Sequence, residues 1–266
     1  MQRSKPQGGH DVHESTRLQA LTPPRQGTPC TEMRSAMFKL LLAVIAAAPA
    51  LMSLPAHCAP SFEELDERIA TCNVVLKSML AMPDSAIPRE IITRSRAVAI
   101  FPRFLKIGAL VGIGYGSGVA LGRFKESAEW SNPVFFRMKG GSFGLQMGVQ
   151  STDIVLLVMT EKGFEGLLED KVTLGVDVSL AAGPLGRDVS AETNLRLDAS
   201  FLSYARSRGF FAGMSLTGAT LQSDTEANSV YHGVGISAQD IFFEGKGVLS
   251  ERGKMLIQTL EEACGN

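Results

Sequence analysis

Glycine occupies almost every second position over residues 111–122, VGIGYGSGVALG, and this pattern constrains the fold more than any other feature. The odd positions carry side chains, and the even positions are glycine except for Ala120. A period of two is that of a β-strand, whose successive side chains point to opposite faces. One face of the strand is therefore almost bare backbone. Because a bare face costs conformational entropy, we expect another backbone, a helix or an acyl chain to lie close against it.

The same glycines do not form a phosphate-binding loop. A dinucleotide-binding fingerprint needs glycine at positions n, n+2 and n+5, and no Gly-x-Gly pair in the run has the third glycine. The GxxxxGK[ST] motif is also absent. The histidine and cysteine spacings match no zinc motif. We therefore expect a protein that is not an enzyme, with no catalytic residue, metal site or cofactor. His232, beside Tyr231, is interpreted as a helix-end or packing residue.

The first 58 residues have the features of a targeting segment. Residues 38–54, FKLLLAVIAAAPALMSL, form a short apolar run behind Arg34 and Lys39. This arrangement is typical of a secretory signal rather than of a membrane span, which needs ~20 apolar residues. We predict a signal peptide over residues 33–58, preceded by a disordered extension or misassigned start over residues 1–32. The mature protein is then exported to the periplasm. Cys58 offers an alternative, lipidation, although His57 before it is unusual for a lipoprotein signal.

Export would change both the charge and the cysteine chemistry. Removal of residues 1–58 takes away six basic and three acidic residues, so the net charge falls from -1 to -4. A mildly acidic protein is not drawn to nucleic acid or anionic lipid by its overall charge, so any lipid binding must be local. Cys72 and Cys264 would remain, one near each end. They could form a disulfide in an oxidising compartment, or they could be two small buried thiols.

The remaining chain predicts one α+β domain over residues 60–264. Apolar spacing predicts helices over residues 61–80, 88–95, 161–169, 224–231 and 250–263. It predicts strands over residues 97–101, 111–122, 134–138, 143–150, 153–159, 172–182, 195–205 and 210–216. Turns are expected at residues 140–141 and 206–209. The first helix has an acidic polar face, so we expect it to pack on its own domain rather than on a membrane. The helices at both ends would pack on a strongly curled antiparallel sheet or half-barrel.

A series of motifs in this region resembles the SYLF domain family, also called the Ysc84-type actin-binding domain family. The motifs are AVAIFP (97–102), WSNP (130–133), GGSFGLQMG (140–148), AGPLGR (182–187), YARSRGFFAG (204–213) and NSVYHG (228–233). The resemblance implies phospholipid binding, and for eukaryotic relatives phosphoinositide and actin binding. Two features depart from the family. His232 stands where a second aromatic is common, and the acidic first helix differs from the basic amphipathic segment associated with membrane insertion.

Cationic side chains bind lipid head groups, and the guanidinium of arginine can donate two parallel hydrogen bonds to a phosphate. The basic residues Arg103, Lys106, Arg206 and Arg208 are our candidates for a lipid-binding site, provided that their turns converge. We expect a phospholipid or membrane surface as partner, in the bacterial cell envelope. Actin is set aside for an exported bacterial protein. The alternative is a structural or interaction module that binds a protein or polymer of the envelope.

Overall fold

Two helices open the part of the chain that the structure describes. This computed structural model describes residues 59–82, 87–108, 111–123, 129–143, 148–184, 198–209 and 216–265. These residues lie in one compact unit, Cys58–Asn266. Helix α1 spans Phe62–Leu80, and helix α2 spans Arg89–Arg94. Ser61 caps α1 in a capping box with Glu64, as serine followed by glutamate three residues later predicts.

The apolar stripe of α1 faces the interior. Leu65, Ile69, Leu76 and Met79 are among its buried residues, and they belong to the same hydrophobic cluster as residues of the sheet and of the last helix. The prediction of a packed helix is therefore confirmed, and the stripe is not available for a membrane.

Eight strands form a single sheet in the described part of the chain. They are β1 (Ala97–Gly108), β2 (Val111–Gly122), β3 (Val134–Phe143), β4 (Gly148–Val158), β5 (Val172–Thr173), β6 (Leu180–Ala182), β7 (Phe201–Gly209) and β8 (Thr220–Ser223). Their order across the sheet is β5-β8-β3-β2-β1-β4-β7-β6. The predicted class, helices on a strongly curled half-barrel sheet, is confirmed. One detail differs, because β6 pairs with β7 in parallel while the other pairs are antiparallel.

In the described part of the chain, four further helices follow the central strands. They are α3 (Glu161–Leu168), α4 (Thr225–His232), α5 (Ala238–Glu244) and α6 (Glu251–Cys264). Thr160, Asp224, Ser237 and Ser250 cap them with their side chains. Helix α5 and strand β8 are short elements that apolar spacing did not reveal.

The sheet separates two hydrophobic layers. Val98 and Ile100 of β1 contribute to the layer under α1, α2, α4 and α6. Their neighbours Ala97, Ala99 and Phe101 contribute to the opposite layer, where α3 and α5 pack. The alternation along β1 follows the period of two. It assigns every residue of the central strands to the α1 face or to the α3 face.

Three predicted strand boundaries are wrong, because pairing with a neighbouring strand extends each strand, and one predicted strand is divided into two. Strand β1 does not end at Pro102, because a bulge accommodates the proline. Residues 140–141 are not a turn but pair with β2. Residues 206–209 are not a turn either, because β7 pairs with β4 as far as Gly209. The predicted strand over residues 172–182 is two short strands, β5 and β6.

Candidate functional site

A β-bulge in the central strand shapes the candidate site. Between Phe101 and Phe104, strand β1 advances three residues while its partner β4 advances from Ile154 to Thr152. Arg103 lies in the bulge with a φ of 50°, a left-handed conformation that is uncommon for a residue other than glycine. Its backbone N–H donates to Oδ1 of Asp153 at 3.0 Å. The bulge thus directs an exposed arginine out of the sheet.

Asp153 also fixes Arg206, and this changes the role predicted for that arginine. Nη2 of Arg206 donates to Oδ2 of the buried Asp153 at 2.6 Å, and Nη1 donates to Oγ of Ser78 in α1 at 2.8 Å. The guanidinium therefore joins β4, β7 and α1. Its main partner is a carboxylate of its own chain, so it is not held ready for a lipid phosphate.

Lys106, another of the predicted basic residues, does not join Arg103 in a cluster. Lys106 is half-buried and pairs with Gly114 and Gln150. It lies on the α3 face, because its neighbours in β1 lie on the α1 face. Arg208 pairs with Ser151 in the sheet, but its side chain lies outside the described residues. The proposed convergence of four cations at turns is therefore wrong for Lys106, which faces the other way.

The structure instead places Arg103 in a groove between α1 and the first two strands. The groove has a volume of about 560 Å³. Its wall from α1 is formed by Glu64, Glu67, Arg68 and Thr71, and its wall from the sheet by Pro102, Arg103, Leu105, Tyr115, Gly116 and Ser117. Oγ of Ser117 donates to the hydroxyl oxygen of Tyr115 at 3.2 Å. The groove is polar at the helix and apolar toward the end of the strands.

The groove carries two acids and two bases, which gives it no net charge. Glu64 Oε2 accepts the backbone N–H of Ser61 at 2.8 Å as part of the helix cap. The guanidinium of Arg68 lies 5.9 Å from the centre of the buried Phe135 ring. Nη1 of Arg68 is buried and has no hydrogen-bond partner among the described residues. Within the same residues, none of Glu64, Glu67, Arg68 or Arg103 forms an ion pair.

Beyond the groove, the ends of three strands expose apolar side chains on the α1 face. We call this set the strand-end patch. It consists of Leu105 and Ile107 of β1, Ile113 and Tyr115 of β2, and Val149 of β4. Ile107 pairs with both Ile113 and Val149, and Ile113 is 72% exposed. Leu105 and Tyr115 also line the groove, so the patch and the groove form one continuous surface.

The bare glycine face of β2 packs against β1, although Gly116 also lines the groove. A Cβ on Gly116 would lie 2.9 Å from the ring of Phe104, and one on Gly118 would collide with the carbonyl oxygen of Ile100. Phe104 is 3% exposed. The glycine face of β2 is therefore covered by the Phe104 side chain and the backbone of β1, and this contact explains the glycines without an acyl chain.

Cys72 and Cys264 are free thiols in the structure. Cys72 is buried against the sheet, where its Sγ lies 3.5 Å from the carbonyl oxygen of Ile100, and burial raises the pKa of its thiol to about 12. Sγ of Cys264 accepts a bond from Nη2 of Arg123 at 3.3 Å. Each sulfur thus contacts a different part of the sheet, and the disulfide considered from the sequence is not formed.

His232 is a packing residue at the end of α4, as expected. Its Nδ1 accepts the N–H of Val248 at 3.0 Å, so Nε2 carries the proton that it shares with the carbonyl oxygen of Pro133 at 2.8 Å. Burial lowers the pKa of His232, because desolvation disfavours the charged imidazolium. The neutral ring therefore joins α4 to the two segments that flank it.

Several predictions fall on residues that the structure does not describe. The extension over residues 1–32, the signal peptide over residues 33–58 and Cys58 are among them. Part of the predicted strands at residues 143–150 and 210–216 also lies outside the described residues. None of the described helices is long and apolar enough to cross a membrane.

The groove residues were only partly visible in the sequence. The sequence does not single out Arg68. It follows the acidic residues at the start of α1, and helix capping explains those acids without a binding role. The sequence does carry a signal for the patch: Leu105 and Ile107 are spaced two apart before residues 109–110, and Ile113 and Tyr115 are spaced two apart after them. Because β1 was predicted to end before Pro102, Leu105 and Ile107 were not assigned to a strand.

Comparison with known proteins confirms the family resemblance. Residues 139–263 match the Ysc84 family model, which is described as "Las17-binding protein actin regulator". The match includes Arg206 and Arg208 but begins after Arg103 and Lys106.

The chain is also similar to longer proteins of animals and yeast. SH3 domain-containing YSC84-like protein 1 of Bos taurus is 34% identical over 162 residues, which are 60% of this chain and 47% of the relative. The protein of the same name from Homo sapiens is 33% identical with the same coverage. LAS seventeen-binding protein 3 of Saccharomyces cerevisiae is 34% identical over 161 residues, 59% of this chain and 35% of the relative. The chain thus spans about half or less of the relatives that it matches.

Proposed function

We propose that this chain, which resembles the Ysc84 family over residues 139–263, is a phospholipid-binding protein of the bacterial cell envelope. It is exported by the segment over residues 33–58, acts in the periplasm at a membrane surface, and has no catalytic activity. The membrane contact is made by the strand-end patch, and the adjoining groove receives the lipid head group.

The strand-end patch is the observation that carries this proposal. Ile107, Ile113 and Val149 are 52%, 72% and 57% exposed, and the pairing of β1, β2 and β4 brings them side by side. A contiguous set of exposed apolar side chains with a polar border is typical of a surface that contacts a membrane or a partner. The groove beside the patch carries charged groups, which an apolar protein interface would tend to exclude from its centre.

A pair of substitutions in the patch tests the proposal. Replacing Ile107 and Ile113 with threonine preserves β-branching and strand propensity while removing apolar surface. Loss of that surface costs roughly 1 kcal/mol per side chain, so we expect the double variant to bind vesicles about 10- to 30-fold more weakly. The measurement is co-sedimentation of the full chain with phospholipid vesicles.

The matched control replaces Val176 and Val234, which are 72% and 93% exposed and lie outside the patch, with threonine. It should bind vesicles as the unsubstituted chain does. Any binding through residues 38–54 is the same in all these proteins, so only the difference between variants is interpreted. Equal binding by the patch variant and the control would contradict the assignment of the patch.

The second candidate function is a structural or interaction module that binds a protein or polymer of the envelope. The similar proteins favour it, since the matching family is described as a Las17-binding protein actin regulator and the yeast relative is named LAS seventeen-binding protein 3. Saturable binding of an envelope component without lipid, together with no sedimentation with any vesicle, would favour this candidate over the first.

A further inference from the structure

From the charges in the groove, we propose that it recognises the zwitterionic head group of an ethanolamine glycerophospholipid in preference to an anionic head group. The inference rests on the proposed lipid-binding function and adds the class of lipid. Its basis is the set of four charged side chains that line one groove and form no ion pair within the described residues.

The basic half of the groove suits a phosphodiester. Arg103 is exposed at the bulge, and its backbone is held by Asp153. Its guanidinium has no ion pair within the described residues, and neither does that of Arg68 across the groove. A guanidinium donates paired hydrogen bonds to phosphate oxygens. Nη1 of Arg68 is buried without a partner among the described residues, and such a group gains from an acceptor.

The acidic half of the groove suits an ammonium group. Glu64 and Glu67 lie one turn apart on α1, on the side that lines the groove. Glu64 already serves the helix cap, so Glu67 is the carboxylate that we assign to the ligand. An anionic head group such as that of phosphatidylglycerol carries the same phosphodiester charge but has no cation to pair with these acids. An ammonium can instead donate charge-assisted hydrogen bonds to the carboxylate.

The lipid source of the head group follows from the continuity of the groove with the strand-end patch. Leu105 and Tyr115 belong to both. A head group in the groove would therefore have its acyl chains beside exposed apolar side chains. A free phosphoethanolamine compound would share the charges but would leave the patch uncovered.

Isothermal titration of the full chain with monomeric short-chain lipids tests the proposal. We expect dihexanoyl phosphatidylethanolamine to bind about fivefold more tightly than dihexanoyl phosphatidylglycerol, the size of effect that one partly exposed ion pair can give. Glycerophosphoethanolamine, which lacks acyl chains, should bind more weakly than the short-chain lipid. Equal affinity for these two ethanolamine compounds would overturn the lipid source.

Two variants test the contributions of the acidic and the basic half of the groove separately. Glu67→Gln should abolish the preference for ethanolamine by weakening its binding alone. Arg103→Asn should weaken both lipids, and asparagine tolerates the left-handed backbone at this position. The controls are Glu165→Gln and Arg94→Asn, which make the same charge changes at exposed residues outside the groove and should change neither affinity.

The results distinguish failure of the head-group inference from failure of the proposed lipid-binding function. Equal or tighter binding of phosphatidylglycerol by the unsubstituted chain overturns the head-group inference, as does a preference that survives in Glu67→Gln. Vesicle binding without any short-chain binding overturns the groove as the site but leaves the lipid function. No binding to vesicles of either composition overturns the lipid function itself.

Discussion

At the residue scale, the same chemical type serves different purposes according to its partners. Arg206 and Arg103 are both arginines near the α1 face, and the sequence alone made them equivalent candidates. Arg206 is bonded to a buried carboxylate and to Ser78, so replacing it would leave Asp153 without its partner in the interior. Arg103 keeps its guanidinium in solvent while only its backbone is bonded. Only the second arrangement leaves a cation for a ligand.

His232 should make the fold sensitive to acid. Its pKa is lowered by burial, so the unfolded chain binds a proton more readily than the folded one, and stability is lost as the pH falls below about 6.5. Protonation of Nδ1 would also break the bond from Val248. We expect the urea midpoint to drop between about pH 7.5 and about pH 5.5, and to drop less in His232→Gln.

Glutamine is the suitable replacement because its amide can also accept one hydrogen bond and donate another. All other titratable groups are the same in both proteins, so the difference in slope isolates His232. The same loss of stability in both proteins would show that His232 does not contribute to it.

At the scale of elements, the glycine run of β2 is required by the packing of β1. Gly118→Ala should destabilise the protein by about 1–3 kcal/mol, because the new methyl group collides with the backbone of Ile100 and overpacks the sheet. In Gly141→Ala the nearest neighbour lies 4.0 Å away, so no destabilisation is expected. Urea unfolding of both variants measures the difference. A Gly118→Ala protein as stable as Gly141→Ala would contradict this account of the glycines.

The elements were predictable where local pattern and tertiary pairing agree. The period of two predicted β2, and apolar spacing predicted α1, α4 and α6. Prediction failed where pairing overrides a local signal. Pro102 is tolerated because the bulge places it where the ladder is already interrupted. The glycines at residues 140–141 look like a turn in sequence, but a neighbouring strand holds them extended.

At the scale of the molecule, the candidate site depends on the relative placement of helix and sheet, which no local pattern reports. Glu67 and Arg103 are far apart in sequence, and they line one groove because α1 packs over β1 and β2. The net charge of -4 expected after removal of residues 1–58 gives no general attraction to anionic membranes. Contact with a bilayer would therefore depend on the patch and the groove.

Tryptophan quenching tests whether the strand ends enter the membrane. We would introduce tryptophan in place of Ile113 in one protein and in place of Val234 in another, keeping the buried Trp130 in both. Vesicles with brominated acyl chains quench only an indole that reaches the hydrocarbon. The account predicts that the fluorescence of Ile113→Trp is quenched and shifted to shorter wavelength, while Val234→Trp is unaffected. Bound protein with equal quenching at both positions, or with none at residue 113, would contradict it.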